Sequence, residues 1–176
     1  MDKQSQQILE RVLSEKNNNP TNKNQKVPLL GGSWNENSEF FIFKNMCISL
    51  VGRWGELMFE KSFGYKSENK GLDLPSLNAD IKTFTRQLGR NKFGGRASEQ
   101  HNPDWYFIYL IFPNEYQLYR VPSDDPCIGH PAANKLEGHI DITHTSIARF
   151  ISKNYMYGNI NDTTVNLNNG TLGDFF

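Results

Sequence analysis

The sequence has only two cysteines, no surplus of either charge and no long apolar run, and each shortage excludes a class of protein. Cys47 and Cys127 have no cysteine near them in the chain, so neither a disulfide framework nor a thiolate metal site is expected. Nineteen basic residues balance nineteen acidic ones, which excludes a histone-like polycation but allows one basic face. No apolar stretch approaches the roughly 20 residues that cross a bilayer, so no membrane association is expected.

The first residues, MDKQSQQILERVL, also lack the basic segment and apolar run of a signal peptide. We therefore expect a cytoplasmic protein. A length of 176 residues suits one domain, and an aromatic content of 12% argues against a disordered chain. We expect that domain to comprise an N-terminal helix and polar linker over residues 1–27, a core over 28–157 and a polar tail over 158–176.

The spacing of apolar residues predicts the main elements. Helices are predicted over 4–16, over 46–62 with Gly64 as its cap, and over 145–155, where Ile147, Phe150 and Ile151 should face inward. Strands are predicted over 40–43, 77–84, 105–112 and 116–122, the last two forming a hairpin. The continuous apolar character of 105–112 predicts burial on both faces. The expected fold class is α/β, with one mixed central sheet flanked by helices.

Three side chains around the second predicted strand form the pattern Asp-x6-Asp-Ile-Lys. Asp80 and Lys82 are two apart on a strand and therefore share a face. If the segment containing Pro75 turns between strand ends, Asp73 meets them at one edge of the sheet. Two carboxylates supply hard oxygen ligands for Mg²⁺, and a lysine can orient an attacking water, which is what phosphodiester hydrolysis requires.

The preceding helix offers Glu56 and Glu60 as a third acid. At 100° per residue, Glu60 lies nearer the edge of the apolar stripe than Glu56 does. We therefore prefer Glu60 as a further metal ligand and catalytic residue, and Glu56 stays open as the alternative.

The stretch RWGELMFEKSFGYKSENKGLDLPSLNADIKTF resembles the active-site region of the PD-(D/E)XK nucleases, and more narrowly that of Type II restriction endonucleases and the MutH-type mismatch-repair nickase. The matching positions are Gly55, Glu60, Phe63-Gly64, Asp73, Pro75, Leu77, Asp80 and Lys82. The resemblance implies a restriction-endonuclease-like fold. It also implies that Asp73 and Asp80 are metal ligands, that Glu60 is the helix acid and that Lys82 is the catalytic lysine.

A basic segment follows the predicted active strand. Five basic residues and no acid lie between Ile81 and Ser98, and glycines at 89, 94 and 95 predict a mobile loop that follows a phosphate backbone. Arginine and lysine can also contact guanine edges, and asparagine can pair with adenine. The predicted DNA-binding residues are Arg86, Arg90, Asn91, Lys92 and Arg96. The alternative is a basic surface loop without base reading.

The predicted function is therefore that of a bacterial Type II restriction endonuclease, which uses Mg²⁺ to cut a specific sequence in double-stranded DNA. Because a core of this size holds one active site, cutting both strands of a palindrome would take a homodimer. Two alternatives remain open. One is a strand-nicking endonuclease of the mismatch-repair kind, and the other is a non-catalytic DNA-binding domain.

Overall fold

The computed structural model describes residues 1–15, 34–68, 71–85, 92–97, 103–129 and 138–159. The helices are α1 (Lys3–Glu15), α2 (Ile42–Asn45), α3 (Ile48–Phe63) and α4 (His144–Ser152), with 3₁₀ turns at Glu39–Phe41 and Pro75–Leu77. The strands are β1 (Ala79–Phe84), β2 (Phe93–Arg96), β3 (Trp105–Ile111), β4 (Tyr116–Pro122), β5 (Ile128–Gly129), β6 (His139–Ile142) and β7 (Met156–Asn159). Within these ranges, none of the helices is long and apolar enough to cross a bilayer.

The strands form two sheets. The larger is mixed, with order β1-β3-β4-β7: β1 and β3 are parallel, and the other pairs are antiparallel. The smaller is antiparallel, with order β2-β6-β5. The α/β class is thus confirmed, but the expectation of a single sheet is wrong. The second sheet escaped prediction because its strands are two to four residues long and contain several glycines, which weakens the alternating apolar pattern.

Strand β3 separates two hydrophobic cores. Phe107, Tyr109 and Ile111 pack against the helical layer, which contributes residues of α1, α2 and α3. On the opposite face, Ile108 and Leu110 pack against the smaller sheet and α4. All seven residues of β3 except Trp105 are buried, so the prediction of burial on both faces is confirmed.

The buried residues of helix α3 form the apolar stripe that the sequence predicts. Its buried residues are Leu50, Val51, Trp54, Gly55, Leu57, Met58 and Phe59. The helix ends at Gly64, whose φ of 77° lies in the left-handed region that favours glycine and whose N–H donates to the Glu60 carbonyl at 2.9 Å. The predicted helix and its cap are both confirmed.

Other predicted elements had mixed outcomes. The helix over 4–16 corresponds to α1, and the hairpin is β3–β4. Strand β7 was not predicted. The linker at 17–27 and the tail from residue 160 lie outside the described residues.

Residues 40–43 are helical rather than extended, because Ser38 caps the 3₁₀ turn by accepting a hydrogen bond from the Phe40 N–H.

The predicted C-terminal helix is present, but one of the side chains that was predicted to face inward does not. Thr143 caps α4 in a capping box with Ser146, and Phe150 is buried as expected. Ile151, however, is 59% exposed. It follows Phe150 directly, and a step of 100° per residue carries its side chain away from the packed face.

A buried ion pair joins α4 to the turn after β4. The Asp125 carboxylate accepts hydrogen bonds from Arg149 Nε at 3.0 Å and Arg149 Nη2 at 2.6 Å, and a third from the Cys127 N–H at 3.0 Å. Burial opposes ionisation of Asp125, but these bonds hold its pKa below the usual range. The ion pair therefore connects α4 to the smaller sheet, and its hydrogen bonds compensate the buried charge of Asp125.

The absence of a side chain at Gly55 allows α3 to approach β1. A Cβ at this position would lie 1.8 Å from Thr83 Oγ1 and 3.1 Å from Thr83 Cβ. The distance to Thr83 Cβ does not change when the threonine side chain rotates about χ1. A residue larger than glycine at position 55 would therefore push α3 away from β1.

We expect Gly55→Ala to destabilise the protein by about 1–3 kcal/mol, the usual cost of overpacking. Gly52→Ala is the matched control, since a Cβ at Gly52 meets nothing within 4 Å; it should stabilise the same helix by about 0.5–1 kcal/mol. Urea unfolding of the two variants and the wild type measures both effects. A Gly55→Ala protein as stable as Gly52→Ala would contradict the close approach.

Candidate active site

The turn before β1 brings Asp73 and Asp80 together. Leu74 bridges to Ala79 in antiparallel fashion, so the chain reverses direction around the 3₁₀ turn. Asp73 Oδ2 then accepts a hydrogen bond from the Ile81 N–H at 2.8 Å, and the Asp73 N–H lies 3.4 Å from Asp80 Oδ1. Three of the predicted residues, Asp73, Asp80 and Lys82, therefore lie at one edge of the larger sheet.

Asp80 and Lys82 form an ion pair. Lys82 Nζ lies 2.5 Å from Asp80 Oδ2, and the Asp80 side chain is 3% exposed. The ammonium approaches outside good hydrogen-bonding geometry, since Oδ2 accepts no directed hydrogen bond from the described residues. Opposite charges at this separation attract strongly in a buried setting. The orientation of the pair leaves Oδ2 with capacity for a further ligand.

The proximity of the two carboxyl groups changes the acidity of Asp73. Burial, together with the hydrogen bond and the charge of Asp80, raises the pKa of Asp73 to about 8, even though the Ile81 N–H and Lys82 act to lower it. Two carboxyl groups that share a site and resist joint ionisation are typical of catalytic and metal-binding positions.

The two candidate helix acids have different surroundings. Glu60 Oε1 accepts hydrogen bonds from the Ser67 N–H at 3.0 Å and the Ser67 hydroxyl at 2.9 Å, so it holds the segment after α3. Glu56 forms an ion pair with Arg53 at 2.9 Å and lines the same cleft as Asp73 and Lys82. The geometry therefore favours Glu56 over the preferred Glu60. Glu56 directly follows Gly55, which packs against Thr83 of β1, whereas Glu60 lies about one helical turn further along α3.

The predicted basic loop is partly a strand. Phe93–Arg96 forms β2 and pairs with β6, so the expectation of a loop is wrong for these residues. Lys92 pairs with Asp141 at 2.6 Å, and Arg96 lines the cleft beside β1. Arg86, Arg90 and Asn91 lie outside the described residues. Of the predicted DNA-binding residues, only Arg96 is thus brought to the candidate site in the part that the structure describes.

The carboxyl groups at the site form a small set of possible Mg²⁺ ligands. Among the described residues, no group of three or more histidine, cysteine, aspartate or glutamate side chains is arranged to hold a metal ion. Mg²⁺, however, is commonly bound through one or two carboxylates, with waters and substrate phosphate completing the octahedron. Asp73 and Asp80 fit that smaller set.

No protein-family model, curated protein or solved structure matches the chain.

The raised pKa of Asp73 predicts a pH-dependent stability. Between its ordinary pKa of 3.8 and the folded-state value of about 8, the folded protein binds more protons than the unfolded chain. Stability should thus fall as pH rises through this window, by at most about 1.4 kcal/mol per pH unit. Asp73→Asn keeps an acceptor for the Ile81 N–H but removes the titrating group, so it should flatten the dependence of stability on pH.

Urea unfolding of metal-free protein across this pH range measures the slope. Asp104→Asn is the matched control, because Asp104 is exposed and its recorded hydrogen bonds are made by its backbone. Equal slopes for the two variants would show that Asp73 is not the titrating group.

Proposed function

We propose that the chain is a Mg²⁺-dependent endodeoxyribonuclease with a restriction-endonuclease-like fold, which hydrolyses phosphodiester bonds in a specific double-stranded DNA sequence as Type II restriction enzymes do. The supporting observation is the meeting of Asp73, Asp80 and Lys82 at the edge of β1. Two carboxyl groups can hold Mg²⁺ and an ammonium beside them can orient the attacking water, a combination that supports metal-assisted phosphodiester hydrolysis.

Each of these residues has a distinct proposed role. Asp73 and Asp80 hold Mg²⁺, which when bound stabilises negative charge on the scissile phosphate. Lys82 orients the attacking water, and its positive charge lowers the pKa of Asp73 and so favours the ionised form that binds a metal ion. Glu56, on the opposite wall of the cleft, replaces Glu60 as the proposed helix acid.

The recessed position of the acids also supports the proposal. Asp80 is 2% exposed and Lys82 is half-buried, so their electrostatic interactions act in a low-dielectric setting and are stronger than at the surface. Arg96 adds a positive charge at the cleft, where a phosphate backbone would pass. Cutting both strands of a palindrome would use two copies of the chain, each supplying one site.

The first test is cleavage of long unmethylated duplex DNA by wild type, Asp80→Asn and Asp104→Asn, with Mg²⁺ and with EDTA. We expect discrete Mg²⁺-dependent fragments from wild type and Asp104→Asn, and a loss of roughly two orders of magnitude or more in Asp80→Asn. Nicks without double-strand breaks would favour the strand-nicking alternative. Unchanged DNA, with binding retained by Asp80→Asn, would favour the non-catalytic domain.

The second test compares the two glutamates of α3. We expect Glu56→Gln to lower the cleavage rate by about tenfold or more, the scale for groups that tune a metal site. Glu60→Gln should retain the rate, because its side chain is bound to Ser67. Initial rates at saturating Mg²⁺ separate the two variants, and the reverse order would restore Glu60 as the helix acid.

A further inference from the structure

The cleft beside β1 is bounded by the open edges of two sheets. Among the described residues, β1 is an edge strand of the larger sheet and β2 an edge strand of the smaller one, and residues 81–85 and 94–96 of these strands line the cleft. An edge strand presents a row of backbone N–H and C=O groups that its own sheet does not use. The cleft is therefore lined by backbone hydrogen-bonding groups as well as by side chains.

The pairing of β2 with β6 shows which of its backbone groups are directed to the open edge. The Ala97 N–H donates to the Gly138 carbonyl at 2.9 Å, so the backbone groups of Ala97, and those of Gly95 two residues before it, are directed towards β6. The N–H groups of Gly94 and Arg96 alternate with these and are directed away from β6, at the edge where both residues line the cleft. The Gly94 N–H donates no hydrogen bond to another described residue.

Two successive glycines in β2 call for an explanation, because glycine weakens a strand. Gly95 is explained by packing, since a Cβ there would lie 2.6 Å from Phe84 Cε1. Side chains alternate between the two faces of a strand, so Gly94 is on the other face and Phe84 does not account for it. A glycine within a strand also occurs where a ligand approaches the backbone closely. The missing side chain at Gly94 leaves its N–H accessible to such a ligand.

The chemistry around these donors suits an anion. Arg96 is exposed and lines the same cleft as Lys82. The two acids of this lining have partners of their own: Glu56 is paired with Arg53 at 2.9 Å, and Asp73 accepts a backbone hydrogen bond at 2.8 Å. A backbone N–H and a guanidinium together are well suited to the oxygens of a phosphate group.

We propose that the open edge of β2, residues 94–96, holds a phosphate of duplex DNA, which accepts hydrogen bonds from the Gly94 N–H and the Arg96 guanidinium. This inference rests on the proposed nuclease function and adds a positioning element to it. The phosphate at β2 lies in the same cleft as Asp73 and Lys82, so it places the DNA strand beside the carboxyl pair. Because a phosphate contact carries no base information, this edge positions the strand and does not select the sequence that is cut.

The first test removes the Gly94 N–H. Gly94→Pro has no backbone donor, and an edge strand tolerates proline where the N–H is directed away from the sheet. Gly94→Ala keeps the donor and is the matched control. Affinity for a fluorescein-labelled duplex of mixed sequence is measured by anisotropy in EDTA, so that binding is observed without cleavage.

We expect Gly94→Pro to bind the duplex about tenfold more weakly than Gly94→Ala, the effect of losing one hydrogen bond to a charged group. Thermal unfolding of both variants shows whether each is folded. Equal affinities of the two variants would overturn the inference.

The second test removes the charge of Arg96 and does not depend on the proline variant. Arg96→Gln should reduce the slope of log affinity against log salt concentration by about 0.9, the value for one phosphate contact. Lys61→Gln is the matched control, since Lys61 is exposed on α3 and lies outside the residues that line the cleft. A slope for Arg96→Gln equal to that for Lys61→Gln would contradict the guanidinium contact and with it the inference.

Cleavage assays separate this inference from the proposed function. If wild type cuts duplex DNA with Mg²⁺ but Gly94→Pro binds it as tightly as Gly94→Ala, the nuclease stands and the phosphate contact at β2 is wrong. If Gly94→Pro binds more weakly but wild type cuts no DNA, the nuclease function is wrong and the edge of β2 is still a DNA contact. If wild type binds no DNA, both proposals are wrong.

An open strand edge can also pair with a strand of a second copy of the chain. Sedimentation of wild type and Gly94→Pro without DNA tests this alternative. Self-association that Gly94→Pro abolishes, at unchanged affinity for the duplex, would overturn the inference and assign the edge of β2 to contact between copies.

Discussion

Strand β3 requires a packed layer on each side of the larger sheet, because six of its seven residues are buried. Its odd-numbered residues, from Phe107 to Ile111, pack against the helices, and its even-numbered residues pack against the smaller sheet and α4. An apolar strand without either layer would expose several large side chains to water, each costing about 1.5–3 kcal/mol. The packed layers on both faces of the larger sheet follow from this one segment.

The cleft is a consequence of how these layers meet the sheet. Among the described residues, β1 is at the edge of the larger sheet, where it pairs with β3, and residues of α3 and β2 line the cleft beside it. The distance between α3 and β1 is set at Gly55, where Thr83 occupies the space of a missing side chain. The depth of the site is therefore fixed by the packing of α3 on β1. The carboxyl pair lies below the surface because this packing places the surrounding backbone there.

The extent to which the sequence predicts this structure differs between elements. The helices α1 and α3 and the hairpin β3–β4 follow from apolar spacing, since their core-facing residues recur with one clear period. The meeting of Asp73, Asp80 and Lys82 was also predicted, because it depends on strand alternation and one turn. The smaller sheet was not, since Gly94 and Gly95 carry no periodic signal and pair with a strand far along the chain. The choice between Glu56 and Glu60 depends on the Gly55–Thr83 approach, a tertiary contact that helical phase does not reveal.

The bond from the Ile81 N–H to Asp73 also protects the sheet. An edge strand presents unpaired N–H and C=O groups on which a second chain can add a strand, and natural proteins block such edges. Asp73 occupies one of these donors with a carboxylate that the fold buries. A substitution that removes this acceptor, such as Asp73→Ala, therefore opens the edge to intermolecular pairing, and loss of function in that variant can arise from aggregation. Asn at the same position separates the two effects.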